Sequence, residues 1–244
     1  MMKIKTGFVI VLIFITLSGF TQQKDTVNKA EISAGTDIMS RYVWRGADFG
    51  ASPGLQPSLS FKYGGLKIGA WGAYSIIGGY AETDLYAAYS YKWLTLTVTD
   101  YFCPYEQHPN IAAGNNNYFD YGKNTRHVFE AALGYTGPEK FPVSILVGVY
   151  VYGADKLPGD STKNNYSTYF ELKYSGSLNE MKYDLFLGGT DKNGSFGNGA
   201  GIINAGITVY KEIVITEKYS LPLQLSLITN PQKENIFFVA GFSF

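Results

Sequence analysis

Asn235-Ile236-Phe237-Phe238-Val239-Ala240-Gly241-Phe242-Ser243-Phe244 is the stretch that decides the fold class. Ile236, Phe238, Ala240, Phe242 and Phe244 share one face. Asn235, Gly241 and Ser243 lie on the other, beside Phe237 and Val239. A period of two residues is the signature of a β-strand. Chain ends usually fray in water, so an apolar strand running to a terminal Phe suits a barrel wall, whose last strand must pair with the first. The rival reading is an edge strand of a soluble sandwich.

The other end of the sequence favours the barrel. Lys3 and Lys5 precede an apolar run from Gly7 to Phe20. A charged segment followed by a run shorter than the roughly 20 residues of a spanning helix reads as a secretory signal. Residues 1–21 are therefore expected to be a signal peptide, cut between Ser18 and Lys24. Residues 22–244 are expected to form a single outer-membrane β-barrel.

Composition narrows the function classes. The chain has 20 basic and 20 acidic residues, so there is no basic surplus to grip nucleic acid. Its single cysteine, Cys103, has no partner for an internal disulfide. Two histidines, His108 and His127, leave little for metal sites or histidine-based catalysis. The 20 Tyr, 16 Phe and 28 Gly, with hydropathy near neutral, fit a barrel whose lipid-facing and lumen-facing residues average out.

Segments of alternating residues recur between turn residues along residues 31–244. Twelve are legible, from Glu31–Gly46 to Glu234–Phe244; ten or fourteen strands remain alternatives. Every second connection is short, as at Gly64-Gly65 and Lys92-Trp93, and those between are mostly longer. The expected fold is all-β, a transmembrane antiparallel barrel with short periplasmic turns, long outer loops and both termini periplasmic. Tyr63, Tyr91, Trp93, Tyr135, Tyr174 and Tyr210 beside the short turns form one expected aromatic girdle. Tyr42, Trp44, Tyr74, Tyr101, Tyr150, Tyr152 and Tyr166 form the other.

Turning the more apolar face of each strand outward fixes the pore-lining candidates. These are Asp37, Arg41 and Arg45 on the first strand, then Lys67, Asp84, Glu130, Glu171, Lys173, Lys182 and Asp184. Gln56, Lys62, Glu82 and Gln224 belong with them. Closure of a turn at Ser177–Glu180 sets Lys173 directly opposite Asp184, with Glu171 and Lys182 near neighbours. Inward aromatics such as Trp71, Tyr86 and Tyr169 can narrow the bore of a twelve-stranded barrel. The longest loop, Cys103–Asn124, is either a constriction at the mouth or an outer lid.

Ser40-Arg41-Tyr42-Val43-Trp44-Arg45-Gly46, Gly69-Ala70-Trp71-Gly72-Ala73-Tyr74-Ser75 and Glu82-Thr83-Asp84-Leu85-Tyr86-Ala87-Ala88-Tyr89-Ser90 carry a family resemblance. Together with Tyr101-Phe102-Cys103-Pro104, they make residues 35–105 similar to the TorF-type porin family of Gram-negative outer-membrane proteins. That resemblance implies an exported β-barrel with channel activity. It transfers no binding residue, because the family's substrate is not established.

Enzymatic readings are weaker. A barrel lipase or acyltransferase needs a nucleophile with a base in reach; His127 with Ser167 is one conceivable pair, but His127 is expected to be a surface or rim histidine. Gly194–Gly201 lacks the lysine and helix of a phosphate-cradling loop. Asn165-Tyr-Ser167 and Asn193-Gly-Ser195 match glycosylation acceptors, which mean little in bacterial export. The expectation is an outer-membrane, porin-like channel for small polar solutes or ions, not an enzyme, without cofactor or metal. Its expected partners are the bilayer, the passing solutes and the barrel assembly machinery, which would read the strand ending in Phe244. The alternative is a structural or partner-binding barrel with an occluded lumen.

Overall fold

The computed structural model describes residues 29–104, 116–123 and 125–244. The expected signal segment, His108 and much of the 103–124 loop lie outside the described residues. Strands, in chain order, are β1 (Glu31–Met39), β2 (Tyr42–Trp44), β3 (Ala47–Gly50), β4 (Gly54–Tyr63), β5 (Leu66–Ser75), β6 (Ala81–Tyr91), β7 (Leu94–Phe102) and β8 (His127–Thr136). They continue as β9 (Val143–Gly153), β10 (Lys156–Leu157), β11 (Asp160–Asn164), β12 (Thr168–Leu178), β13 (Met181–Thr190), β14 (Gly201–Thr216), β15 (Tyr219–Asn230) and β16 (Asn235–Ser243).

Twelve of these close an antiparallel barrel in the order β1, β16, β15, β14, β13, β12, β9, β8, β7, β6, β5, β4. The C-terminal strand closes it: Asp37, Ile38 and Met39 of β1 face Ser243, Phe242 and Gly241 of β16. The backbone of Phe244 exchanges two hydrogen bonds with Thr36. Alternation sorts the faces as expected. Ile236 and Phe238 are exposed on the outer surface, while Phe237 and Val239 are buried within. Leu59, Ile68, Leu96, Leu133, Val147, Leu172, Leu187 and Leu227 continue the exposed apolar band around the wall.

The first expected strand is wrong in its length. β1 stops at Met39, and β2 and β3 pair only with each other. Met39 and Gly54 are register partners across β1 and β4, so the hairpin between them is an insertion that leaves the wall unbroken. A second insertion, the β10–β11 hairpin, sits between β9 and β12 on the same loop side. At the opposite end, β14 and β15 run on past their neighbours and are joined by Glu217-Lys218 alone.

The girdles are only partly aromatic belts. Tyr63, Tyr91, Trp93 and Tyr174 are exposed near the short turns, and Tyr74, Tyr152 and Tyr166 near the loops. Tyr42, Trp44, Tyr101 and Tyr150 instead pack inside the barrel, around the first insertion. Tyr210 also faces inward, toward Asp184.

Candidate functional site: a bore crossed by a hairpin

The β2–β3 hairpin folds into the loop-side half of the lumen. Trp44 and Ala47 are paired, and Arg45 and Gly46 turn the chain between them with φ of 49° and 73°. Two consecutive positive φ values define the tight turn that matches strand twist. Glycine is at home there; arginine is not. An arginine held in that conformation is a strained choice, and such choices cluster where a side chain has a task.

Arg45 reaches across the bore to Glu130 on β8, with N–O distances of 2.6 and 3.0 Å. The two side chains are 8% and 3% exposed, so this is a buried, two-pronged ion pair. Tyr101 of β7 donates a third hydrogen bond to Glu130 at 2.8 Å. The guanidinium also lies 4.3 Å from the ring centres of Trp44 and Tyr169 and 5.0 Å from that of Phe196. Each such contact contributes about 0.5–2 kcal/mol, more where water is excluded. Gly148, on the neighbouring strand β9, leaves the room that Glu130 occupies; a Cβ there would collide with its carboxylate.

The rest of the hairpin meets the other staves. Tyr42 packs on Trp71 of β5 and on Tyr80. The Arg41 guanidinium lies over Phe237 of β16 and pairs with Asp48 at 3.5 Å. Val43 joins a buried cluster with Met39, Phe237 and Val239. Asn230 of β15 donates to the Gly46 carbonyl at 3.0 Å. A Cβ on Gly46 would run into the carbonyl oxygen of Ile203 on β14. The hairpin therefore meets β5, β7, β8, β12, β14, β15 and β16.

Toward the short turns the inner face carries polar recesses. One of about 600 Å³ is lined by Glu31, Ser33, Lys62, Lys67, Ser90 and Thr95, among others. Lys62 and Lys67 face each other directly across β4 and β5, and Glu31 faces Lys62 from β1. Another, of about 310 Å³, includes Lys182, Tyr210, Glu212 and Gln224.

The pore-lining candidates fall into distinct settings. Asp37 sits on β1 opposite Gln56 and Ser243. Arg41 and Arg45 belong to the hairpin rather than to a wall strand. Asp84 is buried and accepts from the Phe102 amide at 3.3 Å. Its neighbour Glu82 accepts from Tyr80 at 2.7 Å. Glu171 accepts from Tyr169 at 2.5 Å and Asn204 at 3.1 Å.

The expected Lys173–Asp184 pairing is displaced by one pair along the hairpin. The turn is Asn179-Glu180, with Asn179 at φ 55°, so Lys173 faces Phe186 and Asp184 faces Ser175. Lys173 still reaches Asp184 diagonally at 3.5 Å. Glu171 faces Gly188, and Lys182 faces Ser177, so those two are not neighbours.

His127 is not a rim histidine. It is fully buried on the outer side of β8, under Tyr118 and Tyr121 of the described part of the long loop. Its Nδ1 lies 2.7 Å from Asp100, and its Nε2 lies 2.7 Å from the Tyr118 carbonyl oxygen. Ser167 is elsewhere: its hydroxyl donates to Asp155 at 2.7 Å, as does Ser195 at 2.6 Å. Asn165 donates to Ser167 and to the Asn193 carbonyl. The two Asn-x-Ser triplets thus form one knot that ties the loops after β9 and β13 together, and the conceived His127–Ser167 pair is not assembled. The same knot positions Phe196 against Arg45.

Among the described residues no group of three or more metal-ligating side chains comes together. No protein-family model matches the chain, and no curated protein matches it.

Proposed function

We propose that this chain is an outer-membrane barrel whose lumen is shut by its own hairpin, a structural or partner-binding barrel in its resting state rather than an open diffusion pore. The observation that carries this reading is Arg45, brought across the bore on a left-handed turn and buried against Glu130. The membrane assignment is supported by the closed wall, the exposed apolar band and the resemblance of residues 35–105 to outer-membrane porins. Phe238, Phe242 and Phe244 on the outer face of the last strand would be the features read by the assembly machinery.

A second reading, passage of small polar solutes, draws on the recesses at the short-turn end. Planar-bilayer recordings separate the two. The full chain is expected to insert without discrete conductance. A variant in which a short Gly-Ser turn replaces residues 41–52 is expected to show steps, because Met39 and Gly54 already stand opposite each other. Steps of equal size from both proteins would favour the open porin.

The membrane part has its own check. Leu172 is half exposed on the outer wall, near the middle of β12. Leu172→Arg is expected to cost about 2–4 kcal/mol in vesicle refolding, the penalty for a cation near the bilayer midplane. On a water-facing surface the same change falls within about 0.5 kcal/mol. Guanidinium titration of the vesicle-refolded proteins reads the difference.

A further inference from the structure

We propose that the outer rim of the barrel carries a binding recess for the phosphorylated sugar headgroup of a lipid. The recess, about 520 Å³, is formed where Gly122, Lys123 and Thr125 of the long loop approach the β10–β11 hairpin. Its volume lies within the range of about 300–1,000 Å³ usual for small-molecule sites.

The charge of the lining is one-sided. Lys123, Lys156 and Lys163 face the cavity, and none of the described residues that line it is a carboxylate. The nearest acid partner, Asp160, pairs with Lys163 at 3.0 Å. Hydrogen bonds from the Thr162 hydroxyl and then from Lys163 hold the Asp160 carboxyl below its usual range, so it is ionised and offsets one lysine. Lys156 donates to Asn164 at 2.8 Å, a neutral acceptor. Two ammonium groups around one cavity therefore lack an anionic partner among these contacts. A phosphate monoester, with up to two negative charges, is the complement. Lysine suits it as a point charge.

The remaining walls suit a sugar. Thr125, Thr162 and Asn164 supply hydroxyl and amide groups, and Tyr152 and Tyr166 supply ring faces and phenols. The frame is fixed, because Tyr152 donates to the Tyr121 carbonyl at 2.6 Å and so joins the wall to the loop.

The position selects a lipid. Tyr152 is the register partner of Phe129, which faces Asp100. All three lie on the outer side of the wall, as does Tyr166, and the rings of Tyr152 and Tyr166 are exposed. The recess thus opens outside the barrel at its loop end, not into the lumen. This rests on the membrane reading, which places that end among headgroups.

The test uses the full chain in nanodiscs of zwitterionic lipid. They are doped with a glucosamine-disaccharide lipid bearing phosphates, or with the same lipid dephosphorylated. Native mass spectrometry should show the phosphorylated form retained at least tenfold better, with that preference falling as salt rises. Lys123→Gln/Lys156→Gln/Lys163→Gln should abolish the preference, and Lys123→Gln/Lys163→Gln, which spares the half-buried Lys156, should weaken it. Equal retention of the two lipids, or an unchanged preference in the triple variant, overturns the proposal. Free glucosamine 6-phosphate that competes as strongly as the lipid overturns the lipid source. A spin label at Leu172 in the same discs reports insertion. An inserted barrel without preference refutes the recess alone, and a barrel that stays in water refutes the membrane reading.

Discussion

A barrel carrying Gly46→Val is expected to conduct in discrete steps where the unaltered barrel is silent. The reason is local and steric. Gly46 turns the hairpin at φ 73°, a conformation that a β-branched residue adopts only under strain. Its missing side chain is also what lets the tip rest against the Ile203 carbonyl. Valine fails on both counts, so the tip cannot seat and the Asn230 hydrogen bond to the Gly46 carbonyl is lost. The wall ladder does not pass through this residue, so the variant should keep the heat-shifted gel mobility of a closed barrel. A well-folded Gly46→Val barrel that stays silent would show that the bore is blocked by something other than this hairpin.

Glu130→Ala should be among the most damaging single changes to stability. It leaves the Arg45 guanidinium inside the barrel with its rings but without its carboxylate, and it strands the Tyr101 hydroxyl. Breaking a buried pair from one side costs about 3–5 kcal/mol. Replacing both members with apolar side chains, as Arg45→Met/Glu130→Leu, should cost much less, because no buried charge is then left alone. The sign of that difference is the diagnostic. Chemical unfolding in detergent, followed by tryptophan emission, gives the double-mutant cycle. A Glu130→Ala barrel as stable as the parent would mean that Arg45 finds water, and the bore would then not be closed at its tip.

Much of the wall is legible in the chain itself. A period of two, held for about ten residues and interrupted by Gly, Asn and Asp, gives strand count, faces and direction around the barrel. The hairpin is illegible for the same reason. Tyr42-Val43-Trp44 is itself strand-forming and continues the alternation of β1 without a visible break, while Ala47-Asp48-Phe49 reads as part of the connection after Gly46, because Ala and Asp are poor strand formers. Arg45-Gly46 is the sole punctuation, and an arginine in a left-handed turn is too rare a choice to read as one. The inward packing of Tyr101 was accessible, because it shares a face with Thr97 and Thr99. Burial of His127 was not, since it depends on Tyr118 and Tyr121 folding back from a loop. The slip at Lys173 has a one-residue cause: Asn179 takes a positive φ and tightens the turn to two residues.

The rung shared by Met39 and Gly54 has a consequence for how such a protein can change. The polypeptide departs from the cylinder and returns to it at one height, as a road returns from a cul-de-sac. Under the closure proposed above, what lies between is a replaceable stopper. Its length and chemistry can be rewritten without re-registering a single stave, so permeability and architecture are free to evolve on separate schedules.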